Sequence, residues 1–179
     1  MLKNCPAPPG KGKLREHITM TINQFTIRVY GILIEDGKLL VSDEFRLGIF
    51  MTKFPGGELN FGEGTKDCLR RECMEELNTE IDIISHYYTT DFFQPTNLLP
   101  FTFQLINVYY LVKSIKPYPF HVSDKKYDFG EPWDGAQSFR WLEIHALSDE
   151  DFTLPVDKKV AIMLKNGFTP PDMIKLTDY

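Results

Sequence analysis

The first regular hydrophobic pattern along the chain is the alternation of apolar and polar residues that is typical of a β-strand. Between positions 24 and 34, apolar residues recur at every second position and define one face of a predicted strand: Phe25, Ile27, Val29 and Leu33. The Asp36-Gly37 pair that follows is a strong signal for a tight hairpin turn. We therefore expect residues 39–45 to return as a second strand, and residues 49–54 to form a third that ends at Pro55.

The hydrophobic period changes from two to about four between residues 65 and 77. Leu69, Cys73 and Leu77 recur as the buried stripe of an amphipathic helix does. Thr65 is expected to cap the start of this helix, and Asn78 to close it in the left-handed conformation.

Strand-like segments resume beyond this helix, at residues 80–88, 102–113 and 138–144. A last helix is predicted from Pro155 to Lys165, with a proline at its first position and Gly167 behind it. Strands surrounding two helices in this order predict an α/β layer structure.

Composition narrows the class of protein. At 179 residues, with 42% hydrophobic and 25% charged residues, the chain is long enough and apolar enough for one folded domain. No apolar run approaches the roughly 18 residues of a membrane span, and a net charge of −5 argues against a nucleic-acid binder. The three cysteines lack metal-ligand spacing and favour a cytoplasmic protein.

The first twenty residues differ from the rest. They carry four basic residues and one acidic residue, and their prolines and glycines show no hydrophobic period. We expect a flexible basic tail over residues 1–20 and a single folded domain over residues 21–179.

The chemistry is concentrated in the helix predicted at 65–77. Glu72, Glu75 and Glu76 stand at i, i+3 and i+4, so their carboxylates share one face and repel each other. A solvated acidic face is one explanation, although basic partners one turn further on are absent from the sequence. The other explanation is a divalent cation, since carboxylate oxygens are hard ligands suited to Mg²⁺ or Mn²⁺.

The residues around these carboxylates resemble the Nudix box. That pattern is Gly, five residues, Glu, seven residues, Arg-Glu, an aliphatic residue, any residue, Glu-Glu, any residue, Gly and an aliphatic residue. The matching positions of this chain are Gly57, Glu63, Arg71-Glu72 and Glu75-Glu76. The departures carry no charge: Cys73, Asn78 and Thr79 replace an aliphatic residue, the final glycine and an aliphatic residue.

The resemblance implies a Nudix-type α/β/α sandwich with a mixed β-sheet. It implies hydrolysis of a nucleoside diphosphate linked to another group, with Mg²⁺ or Mn²⁺ as cofactor. By the same likeness the metal ligands are the Gly57 carbonyl and the carboxylates of Glu72, Glu75 and Glu76. Glu63 would contribute to the site, and Arg71 would orient a carboxylate by a charge-assisted hydrogen bond rather than form a plain surface ion pair.

The general base and the substrate are less determined. Family members take the base from the box or from a later loop, where Glu131 is the candidate in an acidic stretch that could equally be a solvated loop. Glu44-Phe45-Arg46 resembles the segment before the box in ADP-ribose and ADP-sugar pyrophosphatases, and Pro95 lies where ADP-ribose-cleaving members tend to have a proline. Phe45, Arg46 and Pro95 are therefore candidate substrate contacts.

Several alternatives stay open at this point. The substrate could be ADP-ribose, a nucleotide sugar or a nucleoside triphosphate, and the domain could instead sense a nucleotide without cleaving it. Four phenylalanines could stack on a base, although alternate phenylalanines of strands are more often core: Phe92, Phe93, Phe101 and Phe103. The expected partner is a small nucleotide, with neither nucleic acid nor membrane involved, and the sequence leaves homodimerisation open.

Overall fold

Eight strands and two α-helices make up the described part of the chain. The computed structural model describes residues 22–96, 103–115 and 119–167. The strands are β1 (Gln24–Glu35), β2 (Lys38–Arg46), β3 (Ile49–Lys53), β4 (Gly56–Glu58), β5 (Ile81–Thr89), β6 (Pro95–Thr96), β7 (Phe103–Ser114) and β8 (Ala136–Glu143), and the helices are α1 (Thr65–Leu77) and α2 (Pro155–Lys165). The expected tail at 1–20 and Phe101 lie outside the described residues.

The sheet is mixed, as predicted. Its strand order is β3-β2-β1-β7-β5, with β4 also paired to β1, β6 to β7 and β8 to β2. β1 and β7 run parallel from the pair Gln24–Phe103 to the pair Leu33–Val112, and the other strand pairs are antiparallel. The hairpin between β1 and β2 is confirmed: Asp36 and Gly37 both have positive φ, 48° and 76°, which a two-residue hairpin turn requires.

Strand β1 lies at the centre of the molecule because both of its faces are covered. Val29 and Leu33 pack with the α1 residues Leu69, Cys73 and Leu77, which confirms the predicted helical stripe. On the opposite face, Tyr30 and Ile32 pack with three residues of α2, namely Val156, Val160 and Leu164. The sheet is therefore packed between two helices, and β1 contributes side chains to the hydrophobic cluster on each of its faces.

The ends of α1 agree with the prediction at one end only. Asn78 closes the helix in the left-handed conformation, at φ 48° and ψ 41°. Thr65, however, is the first helical residue rather than the cap, which is Gly64. The Thr65 hydroxyl lies 2.7 Å from the hydroxyl of Tyr110, so it fixes the helix to the sheet instead of capping its own backbone.

The cysteines of α1 are structural. Cys68 and Cys73 are both buried and unpaired, and burial raises the pKa of each thiol to about 12. In the described ranges neither helix has the length and apolar character needed to span a membrane.

A buried acid lies in the first turn of α2. Asp157 is fully buried, and its Oδ1 accepts a 2.5 Å hydrogen bond from the Tyr109 hydroxyl. Its Oδ2 has no hydrogen-bond partner among the described residues. Burial raises the pKa of Asp157 from 3.8 to about 7. At pH values between these two, the folded protein holds a proton there that the unfolded chain releases.

This buried acid makes stability fall as the pH rises. Because the folded pKa exceeds the unfolded one, the free energy of unfolding should drop by on the order of 3 kcal/mol between pH 5 and pH 8 through Asp157. Asp157→Asn removes the titrating group, so its profile should lack that drop in urea unfolding at the two pH values. Asp82→Asn, on an exposed site of β5, is the matched control, and a parallel decline in Asp157→Asn would contradict the assignment.

Candidate active site

Two adjacent glycines place the backbone of β4 against the helix that carries the carboxylates. Gly56 has φ 129°, and a Cβ there would lie 2.2 Å from the Val29 carbonyl oxygen, so only glycine fits the pairing of β4 with β1. A Cβ on Gly57 would lie 2.3 Å from the carboxyl atoms of Glu72. The Glu72 carboxylate therefore rests directly on the backbone of Gly57.

The three clustered glutamates of α1 divide into two partly buried ones and an exposed one. The side chains of Glu72 and Glu76 are 13% and 16% exposed and line a cavity of about 330 Å³, whereas Glu75 is 59% exposed and lies outside that lining. The Gly56 N–H donates to Glu76 Oε2 at 2.9 Å. The structure thus brings Glu72, Glu76 and Gly57 together and leaves Glu75 outside the cavity lining.

Lys53 connects this helix to the sheet. Its ammonium donates to Gly56 O at 2.6 Å, to Glu44 Oε1 at 2.8 Å and to Glu76 Oε1 at 3.3 Å. Burial acts to lower the pKa of Lys53, but Glu76 and Glu44 outweigh it and raise that pKa. One ammonium thus serves two buried carboxylates, and sequence reasoning missed it because only strand pairing brings β3, β2 and α1 together.

The two carboxylates respond differently to this shared cation. Burial raises the pKa of Glu76 despite the ammonium. Burial also acts to raise the pKa of Glu44, but Lys53 and the Ser42 hydroxyl outweigh it, so the net pKa of Glu44 is lowered. Glu44 is accordingly the stronger acid of the two.

A second cation, Arg71, forms hydrogen bonds to several carboxylates of the box. Its guanidinium donates to Glu63 at 2.7 and 3.1 Å, to Glu72 Oε1 at 2.8 Å and to Glu75 Oε2 at 3.1 Å. A further hydrogen bond of 3.0 Å reaches the Glu58 carbonyl. The bonds from Arg71 lower the pKa of Glu63 to about 2. Contacts with three carboxylates and a carbonyl distinguish Arg71 from a plain surface ion pair.

The cavity beside Glu72 and Glu76 is lined by both apolar and polar side chains, and we call the polar lining residues of β1 to β4 its floor. Met51, Leu105 and Leu154 supply apolar surface, and Arg28 and Tyr30 of β1 line the floor. Neither residue belongs to a motif that predicts a functional role. The available signal was their alternation with Val29, which places both on the face of β1 opposite to α1.

The candidate substrate contacts do not all reach this cavity. Arg46 lines it, whereas Phe45 packs against Phe50 with ring centroids 4.8 Å apart and lies outside the lining. Pro95 also lies outside and pairs with Gln104 of β7, although its neighbour Thr96 does line the cavity. Glu131 is exposed and away from the lining, so no described contact joins it to the box.

The expectation that the phenylalanines after β5 are core residues is wrong for Phe92 and Phe93. Both side chains are exposed, because β5 ends at Thr89 and these residues belong to the connection that follows. Neither lines the cavity. Phe103 is in β7 and is partly buried.

The donor set at the cavity edge suits a hard divalent cation. The carboxylates of Glu72 and Glu76 and the backbone of Gly57 supply the oxygen ligands that Mg²⁺ and Mn²⁺ prefer. Within the described ranges, no three His, Cys, Asp or Glu side chains already converge on one point. The suitability of this site for a divalent cation therefore rests on the chemistry of these ligands and on the close contact of the Glu72 carboxylate with Gly57.

Comparison with known proteins places this chain in a family. The NUDIX domain matches residues 24–162. An 8-oxo-dGTP diphosphatase of Haemophilus influenzae is 29% identical over 116 residues, which cover 64% of this chain and 70% of that protein. A NUDIX hydrolase from Nitrosomonas europaea superposes with a TM-score of 0.56 at 18% identity, covering 84% of this chain and 95% of the other.

A further solved structure is similar in fold. An ADP-ribose pyrophosphatase from Streptococcus suis gives a TM-score of 0.51 at 14% identity, covering 80% of this chain and 92% of that one. At such identities the structural matches bear on the fold, whereas the domain match spans most of the chain and includes every charged residue of the box. The chain belongs to the Nudix family and is a Nudix pyrophosphohydrolase.

Proposed function

We propose that the protein hydrolyses the pyrophosphate bond of a nucleoside diphosphate joined to a second group, with Mg²⁺ or Mn²⁺ as cofactor. The observation that carries this proposal is the meeting of Glu72, Glu76 and Gly57 at the edge of a cavity of about 330 Å³. A volume of this size suits one nucleoside-sized group. The pyrophosphate would then lie at the carboxylate edge.

The box residues would hold the cation and orient the reaction. Glu72, Glu76 and the Gly57 carbonyl, with the exposed Glu75, are the proposed ligands. When bound, a divalent cation neutralises phosphate charge and makes an attacking water more acidic. Arg71 holds Glu72 and Glu63 in place through its hydrogen bonds, so that the carboxylates do not reorganise during the reaction.

We take the general base from the box rather than from the later loop. Hydrolysis adds water to one phosphorus, breaks a bridging P–O bond and releases two phosphorylated products, and the proton of the water must pass to a base. Glu76 lines the cavity, whereas Glu131 is exposed outside it. Glu76 is therefore the better supported of the two candidates.

The structure restricts the identity of the second group, the one joined to the nucleoside diphosphate, less than it restricts the reaction. The sequence positions of Phe45 and Pro95 favoured ADP-ribose as the substrate. Both residues lie outside the cavity lining, which weakens that interpretation. A nucleoside triphosphate is the second candidate substrate, favoured by the similarity to the 8-oxo-dGTP diphosphatase. Two free, buried cysteines are consistent with the reducing cytoplasm in which such nucleotides are found.

A substrate panel tests the proposal. We expect purified protein with Mg²⁺ or Mn²⁺ to release products from at least one of ADP-ribose, nucleotide sugars with different bases, diadenosine polyphosphates and nucleoside triphosphates. Excess EDTA should abolish the reaction, and added Mg²⁺ should restore it. Chromatography of the products identifies the bond that breaks. Tight nucleotide binding with no product from any compound would contradict hydrolysis and indicate a sensor.

A further inference from the structure

Two cations of the cavity floor share one tyrosine ring. The Arg28 Cζ lies 5.9 Å and the Lys53 Nζ 5.6 Å from the centroid of the Tyr30 ring. The three donors of the Lys53 ammonium meet three acceptors, as described above. The two like charges repel. Lys53 forms direct ion pairs with Glu44 and Glu76, whereas Glu58 and Glu44 act on Arg28 only from beyond ion-pair distance.

Arg28 differs because, in the part of the chain that the structure describes, most of its donors have no hydrogen-bond partner. Its Nε donates to the Tyr30 hydroxyl at 2.8 Å, and among the described residues no carboxylate forms an ion pair with it. The guanidinium nevertheless lines the cavity. Its terminal N–H groups are therefore available to a ligand, and Arg supplies donors only.

The location of Arg28 relates it to the box. Arg28 pairs with Glu58 across β1 and β4, one step along the strand from the pair of Val29 with Gly57. If the phosphates of a nucleotide lie at Gly57, the part of the nucleotide that occupies the cavity is within reach of Arg28. Apolar walls of Met51, Leu105 and Leu154 suit a flat heteroaromatic ring better than a further phosphate.

We propose that Arg28 recognises the nucleobase of the substrate and selects a 6-oxopurine over adenine. This inference rests on the proposed function, since it takes the ligand to be a nucleotide. Guanine and hypoxanthine present O6 and N7 as neighbouring acceptors that match the fork of an arginine. Adenine offers N7 but presents an amino donor in place of O6, and this donor would face the N–H groups of Arg28.

Of the other charged residues that line the cavity, Arg46 is exposed at the end of β2, and Glu44 and Glu58 are already engaged. Glu44 Oε1 accepts hydrogen bonds from Ser42 at 3.1 Å and from Gln137 at 2.9 Å, in addition to its ion pair with Lys53. The Thr26 hydroxyl donates to Glu58 at 3.0 Å. Arg28 is thus the floor residue best placed to distinguish one base from another.

Nucleotide binding without turnover tests this assignment. Calorimetry with GMP and AMP, in the absence of metal, should show the wild-type protein binding GMP about 10- to 100-fold more tightly, the range expected for a bidentate arginine contact. Arg28→Met should bring the two affinities to within about threefold of each other. Arg28→Lys keeps the charge but loses the fork, so it should retain only part of the preference.

Matched controls separate this result from a loss of structure. Arg70→Met removes an exposed arginine of α1, which pairs with Asp67, and should leave the preference for GMP unchanged. Circular dichroism checks each fold, and Arg28→Lys carries the test if Arg28→Met does not fold.

The inference is overturned if the wild-type protein binds AMP as tightly as GMP, if it binds neither, or if the Arg28 variants keep the full preference. Hydrolysis in the substrate panel would still stand in each of these cases, so failure of the base assignment is distinguishable from failure of the proposed function.

Discussion

Replacing Glu76 by glutamine should lower kcat by about 100- to 1000-fold and change KM by much less, the range seen when one preorganised charge-stabilising group is lost. The Glu76 carboxylate lines the cavity, accepts the Gly56 N–H at 2.9 Å and faces the Lys53 ammonium at 3.3 Å. Glutamine keeps the shape but removes the charge proposed to hold a cation and to accept a proton. The substitution should therefore weaken stabilisation of the transition state more than it weakens substrate binding.

The neighbouring glutamates supply the comparison for this variant. Glu72→Gln should lose activity to a similar degree because its carboxylate also lines the cavity. Glu75→Gln should lose less because that side chain is 59% exposed and lies outside the cavity lining. Glu80→Gln, at an exposed position after α1, is the matched control and should retain wild-type kcat. Calorimetric titration with Mg²⁺ and Mn²⁺ gives a second readout, in which Glu76→Gln and Glu72→Gln should bind the cations more weakly. Unchanged turnover and metal uptake in Glu76→Gln would refute the metal site.

Introducing a methyl group at Gly57 should cause a comparable loss of activity through a different route. A Cβ at this position would lie 2.3 Å from the Glu72 carboxyl atoms, so Gly57→Ala must displace that carboxylate. Because the obstructing atoms are the end of a flexible side chain, the fold should survive while the seat of Glu72 is lost. We expect kcat to fall by about 100-fold, with only a small change in the thermal midpoint.

A double-mutant cycle tells whether Gly57→Ala acts through Glu72. If it does, adding Gly57→Ala to Glu72→Gln should lower kcat little further, because the carboxylate is already absent. Gly64→Ala is the matched control, since Gly64 has φ −81° and its nearest contact is the flexible Asp67 carboxylate at 3.3 Å. Independent, multiplicative losses in the double variant would show that Gly57 serves another purpose.

The sequence by itself determined the elements and the box. Alternation with a period of two predicted β1, the Asp36-Gly37 pair predicted its hairpin, and apolar residues four apart predicted α1. These signals are local, because a strand or helix with one buried face repeats its apolar residues at its own period. The spacing of Glu72 and Glu76 placed both on one helix face for the same reason.

Only the tertiary structure decided which charges meet in the cavity. Arg28, Glu44 and Lys53 come from three different strands. Arg28 and Lys53 belong to no recognised motif, and Glu44 stands out in the sequence only as part of the segment before the box. The pairing of β1, β2, β3 and β4 brings all three beside Glu76. The separation of Glu75 from Glu72 and Glu76 also depends on where α1 packs on the sheet. Such contacts join residues far apart in the chain, and their geometry is set by strand register and by burial on both faces of β1, neither of which a local periodicity encodes.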